Sequence, residues 1–155
     1  MSKVIWLIDT SVLCNILRVP GRCQAADTIA QEFAARGKRG DTFLLPLTTV
    51  LETGNHIGQL KEAGLRRMVG ERFIDTIRRS LAGELPFAPI AFPENKQMLG
   101  LLPDFSMHLE KGSGFGDYLV VQDWRAQIEL NRTRAVDVAV WSTDGHLDWC
   151  YHYFQ

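Results

Sequence analysis

Hydrophobic and polar positions follow two alternating patterns along this chain. The first run, Val4-Ile5-Trp6-Leu7-Ile8, is continuously apolar, as a strand buried on both faces requires. Asp9-Thr10-Ser11 interrupts it. A helix starting at Ser11 then carries Val12, Leu13, Ile16 and Leu17 at helical spacing until Pro20-Gly21 ends the unit. Ala25, Ile29 and Phe33 predict a helix over 24–36, stopped by Gly37. Thr42-Phe43-Leu44-Leu45 reads as a second short buried strand. The next helix runs from Thr48 to about Leu60, with Val50, Leu51 and Ile57 inward. Leu65, Val69, Phe73, Ile77 and Leu81 form a stripe on a helix over 64–82, closed by Gly83.

Prolines crowd 84–93, where Phe87 to Ala91 predicts a short strand. A helix follows from Glu94 to Leu102, interrupted by Pro103. Gly112, Gly114 and Gly116 lead into a helix over 117–130. Val136 to Trp141 is another β-rich apolar run, Ser142 to Gly145 a turn, and Tyr151 to Phe154 a last strand. Strands alternating with helices imply an α/β fold, a mainly parallel sheet covered on both faces. Without repeats, low-complexity tracts or linkers, residues 1–155 read as one domain.

Composition changes this picture little. Hydrophobic residues at 46% and charged residues at 23% are ordinary for a globular domain. The formal net charge of -1 excludes a protein that coats nucleic acid through bulk positive charge. A nucleic-acid substrate would need a local basic rim, and Arg66-Arg67, Arg78-Arg79 and Lys38-Arg39 read first as solvated surface. Cys14, Cys23 and Cys150 are odd in number and have no metal-type spacing, with Cys14 expected as a buried thiol in a reducing cytosol. Val4–Ile8 is too short for a signal or membrane segment, so a cytoplasmic protein without membrane association is expected.

Four acids stand out, and each has a structural explanation. Asp9 can cap the following helix. Thr49 and Glu52 have capping-box spacing. Asp117 suits the positive end of its helix, and Asp144-Gly145 is a common turn dipeptide. Their joint placement argues for more. Ligands bind open parallel sheets outside the carboxyl ends of the strands. Asp9 and Asp144 follow strands, Glu52 lies one turn into the helix after the second strand, and Asp117 opens the helix that returns to the 136–141 strand. Carboxylates so crowded repel, and a divalent cation removes the conflict. Hard oxygen donors without a cysteine or histidine cluster favour Mg²⁺ or Mn²⁺.

These residues resemble a known family. Leu7-Ile8-Asp9-Thr10-Ser11-Val12-Leu13 is similar to the opening of a PIN domain. Glu52 resembles the family's second acid, and Phe115-Gly116-Asp117-Tyr118-Leu119-Val120 its third-acid motif. Val140-Trp141-Ser142-Thr143-Asp144-Gly145-His146-Leu147 resembles its fourth. The motifs come in family order from residue 7 to 147. The resemblance implies an α/β/α sandwich and metal-dependent cleavage of RNA, with VapC-type toxins the usual members of this size. Asp9, Glu52 and Asp117 match the metal-binding acids. Asp144 matches a fourth acid that holds a second metal or orients water, with Asp123 and Asp148 as rivals. Thr10 and Ser142 match hydroxyls that hydrogen-bond near the metal. An antitoxin partner whose C-terminal segment blocks the site, and a homodimer, are also implied.

The interval between Glu52 and Asp117 exceeds that of compact toxins, with extra Pro- and Gly-rich sequence over 84–114. A haloacid-dehalogenase-type phosphatase needs a second acid where Ser11 stands. A receiver domain needs a lysine after a later strand, and 136–145 has none. No phosphate-binding glycine motif follows a strand. The scattered histidines, His56, His108, His146 and His152, are assigned no catalytic role. The tryptophans are expected in packing, Trp124 alternatively on a base or in a dimer interface. The remaining alternatives are a non-catalytic PIN-like module that binds RNA or protein, and an RNA-processing nuclease that is not a toxin.

Overall fold

The opening apolar run becomes β1 (Lys3–Ile8), the middle strand of a five-stranded sheet in a computed structural model describing residues 2–155. On one side lie β2 (Thr42–Pro46) and β3 (Phe87–Ile90), and on the other β4 (Val136–Trp141) and β5 (Tyr151–His152). The order is β3-β2-β1-β4-β5, with β5 alone antiparallel. The chain therefore winds outward from β1 in one direction, then returns to pair β4 with its other edge. The strand order reverses between β1 and β4, and a crevice opens at such a switch point.

The sheet is buried on both faces, which explains why β1 reads as continuously apolar rather than alternating. Val4, Trp6 and Ile8 join Phe43, Leu45 and Trp141 in one core, whereas Ile5 and Leu7 join Val138 and Val140 in the other. The first core is covered by α1 (Thr10–Ile16), α2 (Ala26–Arg39), α3 (Leu47–Gly58) and α4 (Ala63–Leu81), through Val12, Leu13, Ile29, Ile57 and Val69. The second is covered by α6 (Phe115–Leu130), through Val120, Val121 and Trp124, with α5 (Asn95–Glu110) packed on α6. This is a three-layer α/β/α sandwich. Among the described residues, no helix is long and apolar enough to cross a membrane.

Several local expectations are corrected. α1 begins at Thr10, one residue before Ser11. α2 runs past Gly37 to Arg39, and Gly40 supplies the left-handed cap at φ 84°, where a side chain would be strained. Leu51 is exposed because Thr49, Thr53 and Ile57 turn the opposite side of α3 inward, and Leu81 is exposed at the very end of α4. β5 stops at His152 rather than Phe154, whose N–H is diverted to the Asp137 carboxylate at 2.9 Å. Trp124 is in the core and donates to the Val138 carbonyl at 2.9 Å, so it cannot stack on a base. Trp149, by contrast, is largely exposed, edge-on to Trp124.

Pro103 does not interrupt its helix: α5 continues through it to Glu110. Proline removes the N–H that would reach the Leu99 carbonyl, and its ring crowds that turn. Leu99 is 70% exposed and α5 contains no buried residue, so water can serve the freed carbonyl. Pro103→Ala should therefore strengthen α5 by about 1–3 kcal/mol. Because α5 is only lightly docked, the gain should appear as slower amide exchange in residues 95–110 rather than as a large rise in melting temperature.

Candidate active site

Pairing of β1 with β4 fixes the centre of the site. Their parallel register runs from Lys3↔Val136 to Ile8↔Trp141, and the Asp9 N–H prolongs it by donating to the Trp141 carbonyl at 3.0 Å. Asp9 and Ser142 leave the sheet side by side. Asp9 occupies the N-cap position of α1 with extended backbone, but its carboxylate makes no capping hydrogen bond. It accepts instead from the Ser142 hydroxyl at 3.0 Å and the Ser11 hydroxyl at 3.3 Å. The capping explanation therefore fails for this side chain, which is only 3% exposed.

Glu52 arrives by a different route. Its helix begins after Pro46, and the fully buried Thr49 hydroxyl donates to the Ile8 carbonyl at 2.8 Å, pinning α3 to the end of β1. No Thr49–Glu52 capping box forms. The hydroxyl that would cap is spent on the strand, and Glu52, one turn on, accepts from Thr10 at 2.7 Å. Gly116 completes this contact from α6: a Cβ there would lie 1.7 Å from Glu52 Oε1. The absent side chain is what admits the carboxylate, a role that the small residue before Asp117 foreshadows in the sequence.

Asp117 lies in the first turn of α6, as the helix dipole favours, and faces His146 Nε2 at 3.2 Å. Asp144 sits on the exposed turn after β4, its N–H donating to Ser142 Oγ at 3.2 Å. All four acids line one polar cleft of about 250 Å³ at the carboxyl end of the sheet. Asp123 lines a separate hollow beside α5, where burial lifts its carboxyl to about 7, and Asp148 is exposed outside the cleft. Neither rival to Asp144 reaches the site.

Electrostatics mark the cleft as unresolved in charge. Burial is the main cause holding Asp9 above the usual carboxylate range, and the charges of Asp117 and Asp144 add to it. Burial likewise raises Glu52, helped by the charges of Asp9 and Asp117 and opposed by the Thr10 hydrogen bond. Burial works against a charged His146, but Asp117 and its hydrogen bond outweigh it and raise the pKa. His56, also on the cleft wall, is held lower by burial and by the Arg22 charge, which leaves it neutral at pH 7. The buried Cys14 thiol is pushed up to about 11, too high for a thiolate nucleophile.

Among the described residues, no lysine or arginine pairs with any of the four acids. Nor do any three candidate ligand groups already meet at one point, because Glu52 is turned onto Thr10 and Asp117 onto His146. The donor set itself fits a hard divalent cation: carboxylate and hydroxyl oxygens, partly buried and mutually repelling. No family model matches the chain, and no curated protein does.

Of the residues expected from sequence, Asp9, Glu52, Thr10, Asp117 and Asp144 line the cleft, and Ser142 supports Asp9 from beside it. Ser11, Gly116, His146 and the wall residues Gly21, Arg22 and Gln24 are additions. Ser11 was visible only as a polar residue in the elbow. His146 had a weak signal, its place two residues after Asp144. Because Asp9 is buried among like charges, Asp9→Asn should stabilise the metal-free protein by roughly 1 kcal/mol. Urea unfolding in a chelator measures this, and a loss of stability would mean that the hydroxyl donors more than compensate the charge.

Proposed function

We propose that this chain is a Mg²⁺- or Mn²⁺-dependent ribonuclease that hydrolyses phosphodiester bonds at the Asp9–Glu52–Asp117–Asp144 cleft. The observation that carries the reading is the gathering of four carboxylates at the β1/β4 switch point with no lysine or arginine paired to them among the described residues. Hydrolysis of a phosphodiester follows from that donor set. RNA as the substrate follows from the resemblance of the four motifs to PIN nucleases.

In this reading Asp9, Glu52 and Asp117 hold the cation, and Asp144, on the exposed turn, orients water or a second ion. A bound Mg²⁺ or Mn²⁺ supplies a more acidic water and stabilises charge on the phosphate and leaving oxygens. The protein contributes orientation. Ser142 and Ser11 hold the Asp9 carboxylate in one rotamer, and Thr10 does the same for Glu52. Ser142 also receives the Asp144 N–H, so one hydroxyl ties the innermost acid to the outermost. His146 offers Asp117 a hydrogen bond that a cation would displace or share. As the toxin of a toxin–antitoxin pair, the chain would be held off by a segment of its partner lying in this cleft, the role that the resemblance implies.

Cleavage of a mixed panel of RNAs tests the proposal. Wild type should cut with Mg²⁺ or Mn²⁺ and stop in a chelator, and Asp9→Asn or Asp117→Asn should lower the rate by roughly a hundredfold or more. A wild type as inactive as Asp9→Asn, both binding RNA or a protein partner equally well, would replace the enzyme with a binding module.

Gly116→Ala separates site from fold. The added methyl must move the Glu52 carboxylate, the free end of a flexible side chain, and alanine is the better helix former by about 0.5–1 kcal/mol. Stability should hold or rise, whereas Mn²⁺ affinity by calorimetry should fall roughly 10–100-fold. Unchanged affinity would remove Glu52 from the ligand set.

A further inference from the structure

The cleft has one wall that the four acids do not explain. Gly21, Arg22 and Gln24 line it together with the carboxylates, and Arg22 is the one lysine or arginine among the described lining residues. The Arg22 side chain is exposed, with no hydrogen bond or ion pair among the described residues, although it stands beside an acidic cleft. Its charge is felt at His56 and Cys14, which line the same cleft.

The loop that carries Arg22 is tightly built. α1 ends with Arg18 in the left-handed region at φ 53°, a conformation that favours glycine. Arg18 N–H donates to the Asn15 carbonyl and Val19 N–H to the Cys14 carbonyl, and Val19 is fully buried, which together make a Schellman closure. Val19, Pro20, Gly21 and Arg22 then form a turn. Gly21 has φ 80°, and Arg22 N–H returns to the Val19 carbonyl at 2.9 Å. Buried Asn15 clamps the far end, donating to the Ser11 carbonyl and accepting the Ala25 N–H at 2.9 Å. Asn15 thus links the Arg22 loop to the elbow that carries Asp9 and Ser11. Rigid backbone ends here in a free guanidinium facing the cleft.

A guanidinium in this position has a planar donor fork suited to a phosphate oxygen pair. Resting on the nuclease reading above, we infer that Arg22 is a substrate-binding residue that holds the phosphate next to the scissile one on single-stranded RNA. The scissile phosphate itself belongs to the carboxylate end, where Arg22 has no ion-pair contact. A neighbouring phosphate of the same strand carries the charge that this unpaired cation lacks. Such a contact exists equally in the ground and transition states, so it acts on binding rather than on the chemical step.

The test uses a short, labelled single-stranded RNA of mixed sequence, titrated with Mg²⁺ at several salt concentrations. Asp9→Asn provides a non-cleaving background for Arg22→Ala, Arg22→Lys and, as a control, Arg67→Ala, an exposed cation on α4. Arg22→Ala should weaken binding about tenfold and lower the slope of log K against log salt by about 0.7, one phosphate's worth for a single strand. Arg22→Lys should restore the slope, and Arg67→Ala should match its parent. In the cleaving protein, Arg22→Ala should raise KM with kcat nearly unchanged. If wild type cleaves RNA while Arg22→Ala and Arg67→Ala are alike in affinity and slope, the Arg22 assignment alone is overturned. If wild type neither cleaves nor binds RNA, the nuclease reading fails and takes this assignment with it.

Discussion

Parallel pairing of β1 with β4 is the contact on which the site depends. It joins residues more than a hundred positions apart and carries the ladder one bond beyond β1, to the Asp9 N–H. A slip of one residue would exchange the two faces of β4, moving Ala139 and Trp141 out of one core and Val138 and Val140 out of the other. Because both faces are buried, such a slip is strongly opposed. The separation of Asp9 from Ser142 is therefore set by core packing, not by the polar residues themselves. The hydroxyl–carboxylate contact is a consequence of hydrophobic register.

That arrangement places an electrostatic conflict on a rigid support. A carboxylate nearly out of water, facing two others, would ordinarily be paired or replaced. Here hydroxyls surround it instead. Serine and threonine donate a hydrogen bond without supplying positive charge, so they orient Asp9 and Glu52 without neutralising them. The attraction for a cation is left intact. A lysine at either position would satisfy the acid and close the site electrostatically, which is why the absence of ion pairs to Asp9 and Glu52 among the described residues matters more than the number of acids.

Most of the architecture was legible from periodicity, because strands buried on both faces leave long apolar runs and the helices between them carry stripes. Strand β4 ran from Val136 to Trp141 as read, and all four acids proved to share one cleft. The misreadings had local causes. Gly37 and Pro103 are helix breakers by intrinsic preference, but neither faces a core that would penalise it, and the chain passes through both. Thr49-x-x-Glu52 has the spacing of a capping box, yet the strand end offered Thr49 a buried carbonyl that no local pattern encodes. Arg22 was silent, and His146 nearly so, for a related reason. Their significance lies in what they face, and a single exposed cation or imidazole has no signature until the fold supplies its neighbours.

The four acids form two tiers. Asp9 and Glu52 are the deeper pair, each held by a hydroxyl from the Asp9-Thr10-Ser11 elbow, so one short segment of β1–α1 organises both. Asp117 and Asp144 stand nearer solvent, on a helix start and an exposed turn, and each contacts the segment after β4. Asp9 is fixed by packing and can change little, whereas the Glu52 carboxylate is held through Thr10. The outer tier can adjust, since the Ser142–His146 turn bears no core residue before Leu147. A site with that gradient holds one side of a ligand sphere preorganised and leaves the other free to close upon it. Such a division suits a cation that must keep waters and admit a phosphate better than a closed structural metal cage, in which every donor would be equally fixed.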